Sequence, residues 1–233
     1  MQRKFQHQEE GLISTALTFF WLKTLGTSAF MSLFFWAYIY LLKNPAYVPF
    51  TMPITVVDQY IGFAPVALPM YLSLWAYVFL PPMLFRTRRS LIEYGVWIGA
   101  LCLVALSVFY FFPNAVPPAH IDWAQYPGMA FLKNVDAAGN ACPSLHVATA
   151  VFSCFWIHWL LPSVRLGSGW RLANALWCVA IVYSTMATKQ HVSLDVVAGA
   201  ALGVIFAWLS RPRRSALART TQVSEYPLQQ PRP

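Results

Sequence analysis

The stretch LIEYGVWIGALCLVALSVFYFF, residues 91–112, decides the fold. It runs for 22 residues with Glu93 as its single charge, and a helix of that length covers the ~30 Å hydrocarbon core of a bilayer. It lacks the alternation of polar and apolar residues that a membrane strand would need, so a helix is predicted. Arg86, Arg88 and Arg89 close off its upstream side, and before them a second span is predicted over residues 66–85, with Pro69 and the pair Pro81, Pro82 as kinks. Further upstream, residues 11–42 are apolar apart from Lys23, longer than one crossing requires, and divide into an interfacial lead-in and a span from about Thr24. Downstream, spans are predicted over residues 143–161, over 171–187 (starting at Arg171 or Leu172) and over 192–209.

The chain is therefore an all-α, polytopic membrane helix bundle with about six transmembrane helices. Its parts are a cytoplasmic N-terminus and lead-in (1–23), a six-helix membrane domain (24–209) and a disordered basic cytoplasmic tail (210–233). Composition agrees: 58% of residues are hydrophobic, 10% are charged, and the mean hydropathy is +0.51, which excludes an ordinary water-soluble globule. The formal charge of +8 is spread in short clusters between apolar runs and forms no long basic face, so nucleic acid is not an expected partner. With alternating sides, 13 of the 16 Lys and Arg residues fall on one face, leaving Lys43, Lys133 and Lys189 on the other. The positive-inside rule then places both termini in the cytoplasm and the long loop 113–142 outside it. Cys102, Cys142, Cys154 and Cys178 have no metal-ligand spacing, and three of them sit in apolar runs.

Two segments on the non-cytoplasmic side carry chemistry. The first is NACPSLH, residues 140–146, at the mouth of the fourth span. Pro143 suits the first turn of a helix, which would aim the N–H groups of Ser144, Leu145 and His146 at an anion with the helix dipole behind them. Ser144 adds a hydroxyl donor and His146 a group that exchanges protons near neutral pH. Asn140 would either donate to a phosphate oxygen or cap the helix. Alone, this segment equally describes a proline-started helix with an interfacial histidine. The second is STMATKQHVSLD, residues 184–195. His191 and Asp195 are one helical turn apart, so the carboxylate is placed to accept the imidazole N–H. Asp195 also opens an apolar span, where an ionisable group needs a partner. The bland alternative is a His-Asp pair that only ties helices together.

Pro143-Ser-Leu-His146, followed by Ser184, six residues, His191, three residues and Asp195, resembles the second and third signatures of the type-2 phosphatidic acid phosphatase superfamily. Those signatures read Pro-Ser-Gly-His and Ser-Arg-x5-His-x3-Asp, and the resemblance covers roughly residues 91–209. Leucine in place of glycine is similar to the branch containing inositolphosphoceramide synthases and their bacterial relatives. The resemblance implies a metal-independent enzyme without a cofactor, in the inner (plasma) membrane of a bacterium, with its site on the periplasmic or extracellular side. It further implies His191 as nucleophile, Asp195 as its orienting partner and His146 as the acid for the leaving oxygen. Independently of the family, an imidazole backed by a carboxylate can attack phosphorus to form a phosphohistidine while a second imidazole serves as acid and then base.

The departures from the family are specific. The first signature, Lys-x6-Arg-Pro, is absent from YFFPNAVPPAH at residues 110–120, and Thr185 replaces the arginine of the third. Lys189 is the nearest cation left to join Ser144, Leu145, Ser184 and Asn140 as substrate-binding residues, with Lys133 more distant. A phosphomonoester carries about −1.5 to −2 charges and gains most from such clamps, so their loss favours a diester. Three readings stand: a phosphatase acting on a lipid phosphate, a head-group transferase moving a phosphoalcohol from a phospholipid to a lipid hydroxyl, and a non-catalytic scaffold or transporter. His120 and Asp122 in the long loop read as an exposed polar pair with a lesser claim on the site.

Overall fold

The computed structural model describes residues 13–135, 139–164 and 166–212. Residues 1–12 of the expected N-terminal segment and the tail beyond residue 212 lie outside the described residues. The long helices are α1 (Phe20–Lys43), α4 (Leu74–Leu84), which follows the short helices α2 (Val56–Tyr60) and α3 (Leu68–Leu72), α5 (Arg88–Phe111), α7 (Leu145–Leu160), α8 (Ser168–Ala187) and α9 (Ser193–Leu209). A further helix, α6 (Pro127–Val135), lies in the segment read from sequence as loop. Pro127 at its start and Met129 and Leu132 at helical spacing are the local signal for it. Met129 is buried, which ties this helix to the body of the protein.

The protein is an all-α membrane bundle. Among the described residues four segments are long and apolar enough to cross a membrane: Phe20–Lys43, Pro65–Leu84, Arg88–Phe111 and Leu145–Val164. The expected six thus divide into these four, the apolar but shorter α9 at 17 residues, and α8, which carries Arg171, Asn174, Ser184 and Thr185. Asn174, Ser184 and Thr185 turn inward while Arg171 stays exposed: Asn174 accepts from the Tyr77 hydroxyl at 2.6 Å and donates to the Cys154 carbonyl at 3.0 Å. Phe19, with a left-handed φ of 57°, stands immediately before α1. Lys23 can sit inside α1 because its ammonium donates to the carbonyls of Thr15 (2.7 Å) and Met83 (3.1 Å). The second span breaks at Ser73, between α3 and α4, whereas Pro81 and Pro82 remain helical in the last turns of α4.

α7 is the central element. It packs against α4, α5, α8 and α9 and buries 10 of its 16 residues, as a helix surrounded by others must. On one side Phe152 and Trp156 pack with Tyr94, Phe85 and Leu101; on the other Ala150 and Ile157 pack with Tyr77, Cys178 and Ile181. The α7–α9 contact is the closest, and two glycines permit it. A Cβ on Gly199 would lie 2.4 Å from the Ser144 carbonyl oxygen, and one on Gly203 would lie 2.6 Å from that of Ala148. Small residues that let helix backbones touch are a general means of packing helices within lipid. Above the bundle, β1 (Phe50–Thr51) and β2 (Asn114–Ala115) form a short parallel pair with Phe50 opposite Asn114.

Candidate active site

The Gly199 contact brings the two motif segments together. Ser144 is the N-cap of α7: its hydroxyl accepts from the Val147 N–H at 3.3 Å, as short hydroxylic residues do at this position. The Ser144 N–H donates to the main-chain carbonyl of Asp195 at 3.0 Å. This corrects two sequence expectations. Pro143 precedes the cap rather than opening the helix, and the Ser144 N–H is spent on α9; the N–H groups that the first turn leaves without helical acceptors start at Leu145 and His146.

His191 is placed by the end of α8. The N–H of Lys189 donates to Met186 and that of Gln190 to Thr185, both at 3.0 Å, and the His191 N–H also reaches the Thr185 carbonyl, at 3.2 Å. These bonds form a Schellman closure, which needs a left-handed residue just past the helix. Lys189 fills that place with φ 54°, and having no glycine there is why the sequence reading passed over it. Its ammonium donates to the carbonyls of Asp58 and Ile61, so it anchors the 58–61 segment and does not line the cavity described below. Ser184 is fully buried, its hydroxyl bonded back to Ile181 at 2.6 Å, and it too stays clear of that cavity.

Asp58 was not singled out from sequence, although Thr55 three residues before it is a capping-box signal. Its carboxylate accepts from the N–H and hydroxyl of Thr55 (2.8 and 2.9 Å) and from the N–H and hydroxyl of Ser193 (2.7 and 2.9 Å). It is therefore an external cap on α9, two residues from His191. Burial works to raise its pKa, but these four donors outweigh it and hold the carboxyl below its ordinary range.

Within the candidate site, Asp195 is fully buried and His191 nearly so, with Nδ1 3.5 Å from Asp195 Oδ2. The one-turn spacing thus delivers the pair, but as a 3.5 Å contact rather than the hydrogen bond expected. Oδ2 also accepts from the Val192 N–H at 3.0 Å, the usual reach of a third-position carboxylate back to the helix start, which fixes where the carboxylate stands. His191 Nδ1 and Asp195 Oδ1 are buried without a hydrogen-bond partner. His146 lies with its ring stacked on Tyr71 (centroids 4.0 Å apart, 17° between planes) and edge-on to Trp75. Its Nε2 is 3.0 Å from the Tyr71 carbonyl oxygen. A carbonyl only accepts, so Nε2 carries the proton and Nδ1 is the nitrogen left for exchange.

His146 and His191 line one cavity of about 160 Å³, together with Asn140, Leu145, Thr149 and the aromatic rings of Tyr71 and Trp75. No Lys or Arg is among its described lining residues. Asn140 does not cap α7: its amide donates one N–H to the Tyr38 carbonyl at 3.2 Å, tying the motif to α1, while the residue lines the cavity. Asn114 was missed entirely. It lies in the cation-free segment 110–120, and its side-chain amide pairs with the main chain of Cys142, accepting from N–H and donating to C=O, both at 2.7 Å. It thereby holds the strand that leads into His146. Burial and the adjacent Asp195 push the Cys142 thiol up to about 11, so it stays protonated. Asp122 caps a turn by accepting from the Ala124 N–H at 3.1 Å, and His120 is exposed; neither lines the cavity. Among the described residues no group of three or more His, Cys, Asp or Glu side chains converges as a metal centre requires.

Residues 104–218 match the family model of the PAP2 superfamily, a span that contains His146, His191 and Asp195. No curated protein and no solved structure matches the chain.

Proposed function

We propose that the protein is a membrane phosphatase or phosphotransferase that acts on a lipid phosphate ester through a phosphohistidine on His191. The observation that carries this is the convergence of His146 and His191 on one cavity, with the buried Asp195 carboxylate behind the second imidazole. In the first step a ring nitrogen of His191 bonds to phosphorus as the bond to the lipid alkoxide breaks, and His146, entering with both ring nitrogens protonated, gives that oxygen its Nδ1 proton and keeps the Nε2 proton on the Tyr71 carbonyl. Asp195 balances the positive charge that develops on the His191 ring. In the second step His146 takes a proton from water or an alcohol, the new oxygen–phosphorus bond forms, and the nitrogen–phosphorus bond breaks. A shift of the His191 ring of under about 1 Å converts its 3.5 Å contact with Asp195 into a hydrogen bond, the kind of tightening expected when substrate binds.

A second reading is favoured by the absence of Lys and Arg among the described residues that line the cavity, the Lys133 side chain lying outside the described residues: transfer of a phosphoalcohol from a phospholipid to a lipid hydroxyl, an inositolphosphotransferase-like reaction. A diester brings about one negative charge where a monoester brings nearly two, and it needs fewer cations. Purified protein, incubated with chelator and either lipid phosphates or head-group-labelled phospholipids with ceramide or diacylglycerol, separates these outcomes. Release of inorganic phosphate identifies the phosphatase, and a labelled lipid formed only with the acceptor identifies the transferase. Neither product from the parent protein, or equal product from His191→Ala, overturns the proposal and leaves a scaffold.

A further inference from the structure

We infer that the candidate active site continues into an apolar groove between α1, α4 and α5 that measures and holds a single hydrocarbon tail longer than one membrane leaflet; this rests on the lipid-ester reading above. The cavity at the histidines shares Phe30, Met31, Val78 and Ile98 with a second cavity of about 360 Å³. The second is lined by apolar residues and by Thr27 and Tyr94, with no charged side chain. Along α1 the joined lining runs from Ile39 at the histidine end to Leu22, roughly 26 Å of helix at ~1.5 Å per residue. Along α5 it runs from Cys102 to Leu91, roughly 17 Å on the same measure. Both exceed a leaflet, about half of the ~30 Å hydrocarbon thickness.

Width is set by two glycines. Gly26 on α1 and Gly95 on α5 both line the second cavity, and a Cβ on either would meet nothing within 4 Å. Glycine inside a helix is less favourable than alanine. At Gly199 and Gly203 close helix packing explains the residue; at Gly26 and Gly95 there is no such contact, and their effect is to leave both walls of the groove open. Taken together, the two cavities, about 160 and 360 Å³, reach the range of about 300–1,000 Å³ that holds one small ligand, a space that suits one hydrocarbon chain. Continuity with His146 and His191 selects the tail of the reacting lipid as occupant over a bystander lipid or a helix of a second copy.

The test uses monoalkyl phosphates of graded chain length, each also made with a diazirine on its terminal carbon. Turnover per unit substrate rises with length until the groove is filled. Gly26→Trp and, separately, Gly95→Leu lower kcat/KM about tenfold or more for the longest chains, the range of an overpacked contact, while the shortest chain is turned over as before. Illumination of the parent protein with the long probe labels residues around 22–27 and 91–96, and both substitutions suppress that labelling. The labelling decides the groove even if no phosphate ester is turned over, which is the failure of the catalytic proposal alone. A chain-length profile unchanged by both substitutions, equal loss on short and long chains, or terminal labels outside these segments, including on a second copy, overturns the inference.

Discussion

Gly199→Ala tests whether the α7–α9 contact builds the site. The added Cβ would stand 2.4 Å from the Ser144 carbonyl oxygen and 3.2 Å from its carbonyl carbon and its Cβ. All three are main chain or the root of a capping side chain, so no flexible group can swing aside. To reach an ordinary contact of about 3.4 Å, α9 must retreat by about 1 Å, at a cost of roughly 1–3 kcal/mol for overpacking. The same retreat breaks the Ser144 N–H bond to the Asp195 carbonyl, now 3.0 Å, and carries His191 and Asp195 away from His146. A displacement of about 1 Å between reacting groups lowers turnover by about 100-fold. The assay is single-turnover phosphoryl transfer in detergent, read beside thermal unfolding. Gly169→Ala, on α8 where a Cβ meets nothing, is the control and leaves both unchanged or slightly raises stability. If Gly199→Ala keeps parental turnover and melting, the contact does not position the histidines.

His191→Ala abolishes turnover with membrane insertion intact, since the side chain makes no hydrogen bond on which folding depends; residual phosphoenzyme trapped on another residue would refute the nucleophile. His146→Ala lowers turnover of alkyl esters by about 100-fold or more but spares nitrophenyl esters, whose leaving oxygen needs no proton; equal loss on both series removes the acid role. Asn114→Asp keeps the acceptor for the Cys142 N–H but loses the donor to its carbonyl, so kcat falls with KM little changed, and Asn114→Ala falls further; unaltered kcat in both shows that the clamp is idle. For Asp58 the folded carboxyl lies below its ordinary value, so its contribution to stability is complete above the unfolded pKa of about 3.9 and fades as pH falls through the folded value. Asp58→Asn therefore lowers stability at neutral pH and flattens the acid limb of the stability profile. An acid limb identical to that of the parent protein would contradict this role.

Apolar runs are contiguous, so the helices could be read within a few residues: 91–112 from sequence became Arg88–Phe111, and 192–209 became Ser193–Leu209. The short helix α6 escaped because it opens on Pro127-Gly128, which read as loop signals, and its nine residues are far too few for a span, although Met129 and Leu132 carried the period. The His191 and Asp195 pairing was equally legible, because one helical turn is a local distance. What the chain order could not supply was the destination of side chains whose partners are remote in sequence. Lys189, the nearest cation to the motif, turns to the carbonyls of Asp58 and Ile61, and Asn140 to that of Tyr38. The Asn114 clamp on Cys142 looked like an unremarkable loop residue.

By itself, the sequence determined that the protein is a helical membrane bundle and that one histidine would have a carboxylate beside it, because hydropathy and helical period act over a single stretch of backbone. Only the tertiary structure decided that His146 shares a cavity with His191, that no described cation lines it and that an apolar groove leads away. The first of these depends on how closely α7 and α9 approach, and that distance is set where Gly199 meets the Ser144 carbonyl, a contact between segments with no local reason to meet; the others depend on side chains from helices far apart in the chain.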